Sequence, residues 1–297
     1  MTERLADISA RIDGIRQLGA VVNAMKGIAA ARARVARAQL DAVDSYAATI
    51  AAAMASAIGP ADAVTAQATA PQPGKPGLLV FCAEQGFAGA FSERVLDSIG
   101  PDHRPGADPD PDPGPGPRPD PDPPTLFLIG TRGLSIAAAR GIVPLWSAAM
   151  PSHTPGIPKL ADSITKAIYN AVNAGNFDRL DVVFTRWVAG QPTVRRQKLF
   201  PIDLSHLPSP VAERPVMQLS LDRLMDRLDA DYIHALVCAA ALHAFAAENE
   251  ARMEAMTAAG SQIGRELETF EATLRRARQE AITAEIIELG TGAVAAG

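Results

Sequence analysis

The stretch that decides the fold is residues 246–290, "AAENEARMEAMTAAGSQIGRELETFEATLRRARQEAITAEIIELG". Positions 246, 249, 253, 256, 260, 263, 267, 270, 274, 277 and 281 step by three and four in alternation. They read Ala, Asn, Met, Met, Gly, Ile, Leu, Phe, Leu, Ala, Ala. A seam repeating every seven residues belongs to a helix that supercoils with a partner helix. Asn249 and Gly260 are imperfect seam residues, though a buried Asn fixes register and Gly admits close approach.

The seam then breaks. With Leu274 at zero and about 100° per residue, Ala277 and Ala281 keep its face, and Glu285 and Glu288 follow onto it. Charged residues there are costly to bury against another helix. Ile282, Ile286, Ile287 and Leu289 spread over the other side, while Arg276, Gln279 and Thr283 point away. The pattern predicts that near residue 281 the helix loses its partner and presents a bare tip to something else.

The only other long helix is at the opposite end of the chain. Leu5, Ile8, Ile12, Ile15, Leu18, Val22 and Met25 follow a three-or-four spacing, and Val43, Tyr46, Ile50, Met54 and Ile58 resume it before Gly59–Pro60. Between them "KGIAAARARVARAQL" carries the helix by Ala-rich propensity. Pairing the two ends as an antiparallel coiled coil is the simplest architecture. The region between reads differently. "GLLVF", "TLFLIG", "LDVVFTRWV" and "RRQKLFPID" read as strands, with helices at "SERVLDSIG", "RGLSIAAARGI" and "KLADSITKAIYNAVNAG". Strands alternating with helices predict a small α/β domain.

The expected division is 1–59 for the first coiled-coil helix, 60–76 for a Pro/Ala linker and 77–205 for the α/β domain. A second linker at 206–218 and the second coiled-coil helix at 219–297 follow. Within the α/β domain, residues 101–124 hold 11 of the chain's 24 prolines, alternating with Asp and Gly. Such a run forms neither helix nor sheet ladder, and is expected to be an extended excursion.

Bulk properties narrow the classes. The 297 residues carry a net charge of −5 with 5% aromatics, which argues against whole-chain nucleic-acid binding. The two cysteines, Cys82 and Cys238, sit in apolar runs, so buried reduced thiols in a reducing compartment are expected. The N-terminus shows no hydrophobic signal region, and the longest apolar runs fall short of the roughly 18 to 20 residues a membrane span needs. The expectation is a soluble chain held at a membrane by its partners.

Enzyme chemistry finds little support. There is no G-x-x-x-x-G-K-[ST] loop and no G-x-G-x-x-G. The glycines of "EQGFAGAF" fit a strand-to-helix turn better than a ligand cradle. His234 and His243, nine apart on one helix, face opposite sides and share no metal. One charge feature stands out. Between Asp13 and Asp41 there is no acidic residue, while Arg16, Lys26, Arg32, Arg34 and Arg37 all occur. This band serves as a solvent face or meets acidic partners.

These residues together resemble the gamma subunit, the central stalk, of F-type rotary ATP synthases. "DISARIDGIRQLGAVVNAMKGIAAARARVARAQ" is similar to that family's opening helix, with Ala24–Met25 at its Ala-Met pair. "RARQEAITAEIIEL" resembles its C-terminal signature, "QGFAGAF" its glycine-rich first turn and "QPTVRRQKLFPI" a later strand. The resemblance implies a coiled coil of the termini with a Rossmann-like side domain that binds no nucleotide and needs no cofactor or metal. It also implies a non-catalytic rotor shaft turning inside a hexamer of alternating alpha and beta subunits. The foot of such a shaft stands on the c-ring beside epsilon, at the cytoplasmic face of a bacterial inner membrane. By the same resemblance Arg278, Gln279 and Thr283 meet the beta subunits near the top of the hexamer, and Met25 and Lys26 lie near an acidic beta-subunit lever. "LGAVVNA", "CAEQGFAGAF" and the Pro/Asp run depart from the family's usual wording and leave open a divergent copy of the sodium-coupled kind. The coupling ion, proton or sodium, stays open. Two other classes stay open at this point: a free-standing coiled-coil adaptor and, with less support, a nucleotide-binding enzyme.

Overall fold

The computed structural model describes residues 2–66, 74–99, 124–202, 207–208 and 216–295. Residues 101–123 of the Pro/Asp run, 67–73 of the first expected linker, and 206 and 209–215 of the second lie outside the described residues. Helix α1 spans Thr2–Ala66. Strand β1 (Pro76–Phe81), helix α2 (Phe91–Asp97), strand β2 (Thr125–Ile129), helix α3 (Thr131–Ala139) and strand β3 (Trp146–Ala148) follow. A 3-10 turn at Thr154–Gly156 leads into α4 (Ile157–Asn173), then β4 (Arg179–Val188), β5 (Gln191–Phe200) and α5 (Leu221–Ala295). The chain divides into two compact units, residues 31–251 and residues 1–30 with 252–297. The division falls inside α1 and α5, whereas the sequence reading places its boundaries at the helix ends.

In the 31–251 unit, one five-stranded sheet runs in the order β3-β2-β1-β4-β5. The first four strands are parallel, and β5 closes the sheet antiparallel to β4. Between β4 and β5, Ala189 and Gly190 both take positive φ, 51° and 79°, as a two-residue hairpin turn with strand-matched twist requires. Side chains alternate across the sheet. Leu79, Phe81, Phe127, Ile129, Val182 and Phe184 share a core with Leu160, Ile164 and Ile168 of α4 and with Ala36, Leu40, Val237 and Ala241 of the long helices. On the other face Leu78, Val80, Leu128 and Val183 pack with Phe91 and Val95 of α2, Ala137 of α3, and Ala247 and Ala251 of α5. Within the same unit α1 and α5 run antiparallel: Arg37 pairs with Glu250, and further along α1 Ile50 and Met54 meet the earlier Ala235.

In the other unit the two helices again pair antiparallel. The Arg11 guanidinium lies 4.9 Å above the Phe270 ring, Arg16 bonds Glu271 at 2.8 Å, and a Cβ on Gly19 would sit 3.3 Å from Ile263. Val22 faces Gly260. Along the α5 seam read from sequence, Met253, Met256, Ile263, Leu267, Phe270, Leu274, Ala277 and Ala281 are covered or half-covered. Gly260, read onto the same seam, is exposed, because a glycine offers no side chain for the partner helix to cover.

Four sequence expectations need correcting. On α1, Leu18 is 54% and Tyr46 49% exposed; Gly19 and Ala47 take the covered positions instead. The covered positions 5, 8, 12, 15, 19, 22, 26 and 29 in one unit, and 33, 36, 40, 43, 47, 50, 54 and 57 in the other, each keep the seven-residue step. Small residues fill much of that seam, and a search for large apolar side chains passes them over. The helix also continues beyond Gly59–Pro60 to Ala66, since a proline removes one N–H and suits the start of a further helical turn. The short edge strand β3 was not read, and β5 begins at Gln191 rather than Arg195. Finally, α5 contains a window long and apolar enough for a membrane span, of which 61% is buried inside the protein, the mark of a helix that crosses a core.

Candidate functional site: a helix pair and its tip

Arg278, Gln279 and Thr283 are exposed and lie within about one and a half turns of one another on α5. The Thr283 hydroxyl donates to the Gln279 carbonyl at 2.9 Å, which satisfies it locally and leaves the outer surface to the other two side chains. Ile282, Ile286 and Ile287 are 57%, 63% and 59% exposed. Three isoleucines within about one and a half turns thus leave apolar surface in solvent beside Arg278 and Gln279.

The break in the seam comes slightly later than a fixed rotation per residue places it. Ala284 is still half-covered and Glu285 is exposed. A seven-residue repeat drifts by about 20° per heptad relative to a straight helix, so the seam passes to Ala284 instead of Glu285. The side chains of Glu288 and Leu289 lie outside the described residues.

Met25 and Lys26 form a second patch. Both are half-buried, and Lys26 lines a cleft of ≈ 280 Å³ with Gly19, Val22, Asn23, Met256, Thr257 and Gly260. Lys26 occupies a seam position, where a long side chain is able to lay its apolar stem along the pair and keep its charge in water. Counted along α5 from Thr257 to Arg278, the two patches are about 30 Å apart. They are separate surfaces and share no pocket.

The basic band is partly internal. Arg16 pairs with Asp13 and with Glu271 of α5, and Arg37 pairs with Glu250, also of α5. Sequence reading assigns both to solvent or a foreign partner; their α5 partners lie over two hundred positions away, where no local pattern reports them.

The α/β unit carries little that suggests reaction chemistry. Among the described residues no group of His, Cys, Asp and Glu is placed to hold a metal. Cys82 and Cys238 are free and buried. Burial first, then Glu93 and Glu248, push the Cys82 thiol up to about 12; burial and Asp162 push Cys238 up to about 11. Both thiols are therefore held protonated and unreactive. His234 contacts the Pro158 carbonyl at 3.3 Å and Asp162 at 3.1 Å, while His243 stacks on Phe184 with centroids 5.6 Å apart. The loop between β1 and α2 turns through Phe87 and Gly89 at positive φ. Its N–H groups at Glu84 and Gln85 donate to the Glu248 carboxylate at 3.1 and 3.2 Å. Those donors, the ones a phosphate would use, are already taken.

A family model described as ATP synthase matches residues 4–296. The chain belongs to this ATP synthase family. An ATP synthase gamma chain of a Parafrankia species is 27% identical over 312 residues, with all of both chains covered. That of Moorella thermoacetica is 26% identical, covering 97% of this chain and 98% of the relative. Among solved structures, the rotor of Euglena gracilis mitochondrial ATP synthase matches at a TM-score of 0.61 and 13% identity, over 95% of this chain and 100% of that one. The central stalk with c-ring of Tetrahymena thermophila mitochondrial ATP synthase matches at 0.57 and 18%, over 80% and 99%. The resemblance to a gamma-type central stalk is thus borne out, and so is the fold of two long terminal helices with a central sheet.

Proposed function

We propose that the chain works as a central rotor shaft, a non-catalytic subunit that couples ion-driven rotation of a membrane ring to ATP synthesis or hydrolysis on beta subunits. The observation that carries this reading is the tip of α5, where Ile282, Ile286 and Ile287 stand in solvent beside Arg278 and Gln279. A helix pair gives bending stiffness, and a bare apolar end gives a bearing. An asymmetric shaft makes different contacts with three chemically identical sites, so turning it sets their nucleotide affinities out of phase.

The partners in this reading are an alternating alpha–beta hexamer around the helix pair, and a c-ring beneath with epsilon alongside the foot. Arg278, Gln279 and Thr283 meet the beta subunits at the top of the hexamer, and Met25 and Lys26 meet an acidic beta-subunit segment lower down. The chain then sits peripherally at the cytoplasmic face of a bacterial inner membrane. A proton or a sodium ion serves equally as the coupling ion.

The test is co-purification followed by ATP-driven ion pumping. The full chain is expected to co-migrate with an alpha–beta hexamer, and a chain lacking residues 278–297 to lose assembly or pumping while its α/β unit stays folded. A full chain that never co-migrates with the hexamer sinks the proposal.

A further inference from the structure

All residues concerned lie in the 31–251 unit. The sheet order β3-β2-β1-β4-β5 reverses direction at β1: the chain winds outward through β2 and β3, then returns to β4 on the other side. Open α/β sheets receive ligands at that reversal, outside the carboxyl ends of the strands, where loop N–H groups cradle anions. Here the loop after β1 supplies successive donors. The Ala83 N–H goes to Ser92 Oγ at 3.0 Å. The next two, of Glu84 and Gln85, grip both oxygens of the Glu248 carboxylate. Glu248 comes from α5, 164 residues further on, and is 4% exposed.

The grip extends outward through Glu84 itself. Its Oε2 accepts from the N–H groups of Thr131 and Met150 at 3.0 and 2.8 Å, and its Oε1 from the Thr131 hydroxyl at 2.7 Å. Thr131 opens α3 and Met150 follows β3. One carboxylate thus ties α5 to the β1 loop, and a second ties that loop to the ends of β2 and β3. Hydrogen bonds to a charged acceptor are the strong ones, and buried carboxylates lacking them are costly.

We propose that Glu248 is a resident anion: it fills the position where sheets of this strand order take an external anionic ligand, and so keys the carboxyl edge of the sheet to α5. Glu248 acts as a positioning residue, and Glu84 relays its hold to the β2 and β3 ends. This inference rests on the chain alone and does not depend on the rotor reading.

Amide hydrogen exchange on the full chain tests it. Glu248→Ala is expected to speed exchange at residues 84 and 85 by about tenfold or more, the scale of a charge-assisted hydrogen bond, while 79–81 and 182–184 keep their protection. Formate, a carboxylate small enough for the vacated space, is expected to restore protection in that variant where chloride at equal ionic strength does not. A merely space-filling Glu248 gives no difference between formate and chloride. Glu248→Gln keeps the shape and loses the charge, and covers the case in which the alanine variant fails to fold; a several-fold rise is expected there too. Unchanged exchange at 84 and 85 in both variants, a rise spread evenly over the sheet, or rescue by chloride as good as by formate each overturns the proposal.

Discussion

Gly19 of α1 faces Ile263 of α5 so closely that a Cβ at residue 19 would lie 3.3 Å from Ile263 Cγ2. The glycine holds a seam position where a larger residue separates the helices. Two effects oppose each other at this site. Ala is favoured over Gly in a helix interior by about 1 kcal/mol, whereas the tight contact requires Ile263 to yield by a few tenths of an ångström. Gly19→Ala is therefore expected to change stability by less than about 1 kcal/mol. Gly19→Val adds a branched side chain that must displace Ile263 or turn into the neighbouring cleft, and is expected to cost about 1 to 3 kcal/mol. Urea midpoints of the two variants check this. A valine as well tolerated as alanine means that the helices do not approach closely here.

Gly133 of α3 is packed more severely. A Cβ there would fall 2.0 Å from Cys82 Cβ and 2.8 Å from its Sγ. The first of these atoms is anchored directly to the backbone, so rotating the thiol does not relieve it. Gly133→Ala is expected to cost upwards of about 3 kcal/mol, beyond the usual range for overpacking. Cys82→Ala keeps a Cβ and is expected not to rescue it; Cys82→Gly is. Thermal denaturation of the single and double variants measures this coupling. In the unmodified chain both thiols are expected to react with a thiol reagent only once the fold is opened, because only the thiolate is nucleophilic.

How much of this was legible depends on the range over which each signal acts. The α5 seam was readable because Met256, Ile263, Leu267, Phe270 and Leu274 are large and apolar, and a regular repeat needs no knowledge of what lies opposite. On α1 the same repeat runs through Gly19, Ala29, Ala33, Ala36, Ala47 and Ala57, and in an Ala-rich helix the covered alanines look like any others. Leu18 and Tyr46 then attract the eye though they stand outside. Strands β1, β2 and β4 were readable as short apolar runs, but β3 has three residues and no run of its own. The grip of Glu248 on the β1 loop was out of reach. Its donors are backbone groups, which carry no residue identity, and sequence pattern says nothing of contacts made so far along the chain.

His243 makes stability depend on pH in a predictable direction. Burial and the nearby Arg186 lower its pKa from 6.5 to about 4, with Asp44 opposing. Between those values the unfolded chain binds a proton that the folded chain does not. Stability is accordingly expected to fall as pH drops from 6.5 towards about 4 and to lose this dependence below that. The slope from this one group is at most about 1.4 kcal/mol per pH unit, and less because the ring is only partly buried and solvent screens it. His243→Phe keeps a ring to stack on Phe184 and removes the titration. The difference in urea midpoint between the chain and this variant is expected to shrink or reverse in the variant's favour from pH 7 to pH 5. A difference independent of pH means that His243 is protonated equally in both states.

The α5 tip separates folding from partner contact. Ile282 and Ile286 are mostly exposed, so Ile282→Asn and Ile286→Glu are expected to shift the chain's own stability by no more than about 0.5 kcal/mol. Lost contact with a collar has a different scale. Removing an apolar side chain from a desolvated socket costs about 1 to 3 kcal/mol of binding, and placing a charge there costs more. With the alpha–beta hexamer, Ile286→Glu is therefore expected to weaken assembly or slow ATP-driven pumping by about tenfold or more, and Ile282→Asn by less. Arg278→Ala, also exposed, is expected to act on coupling in the same direction without altering the melt of the isolated chain. If Ile286→Glu instead unfolds the isolated chain, the isoleucines belong to the protein's own core. If it changes neither stability nor pumping, the tip is not where this shaft is held.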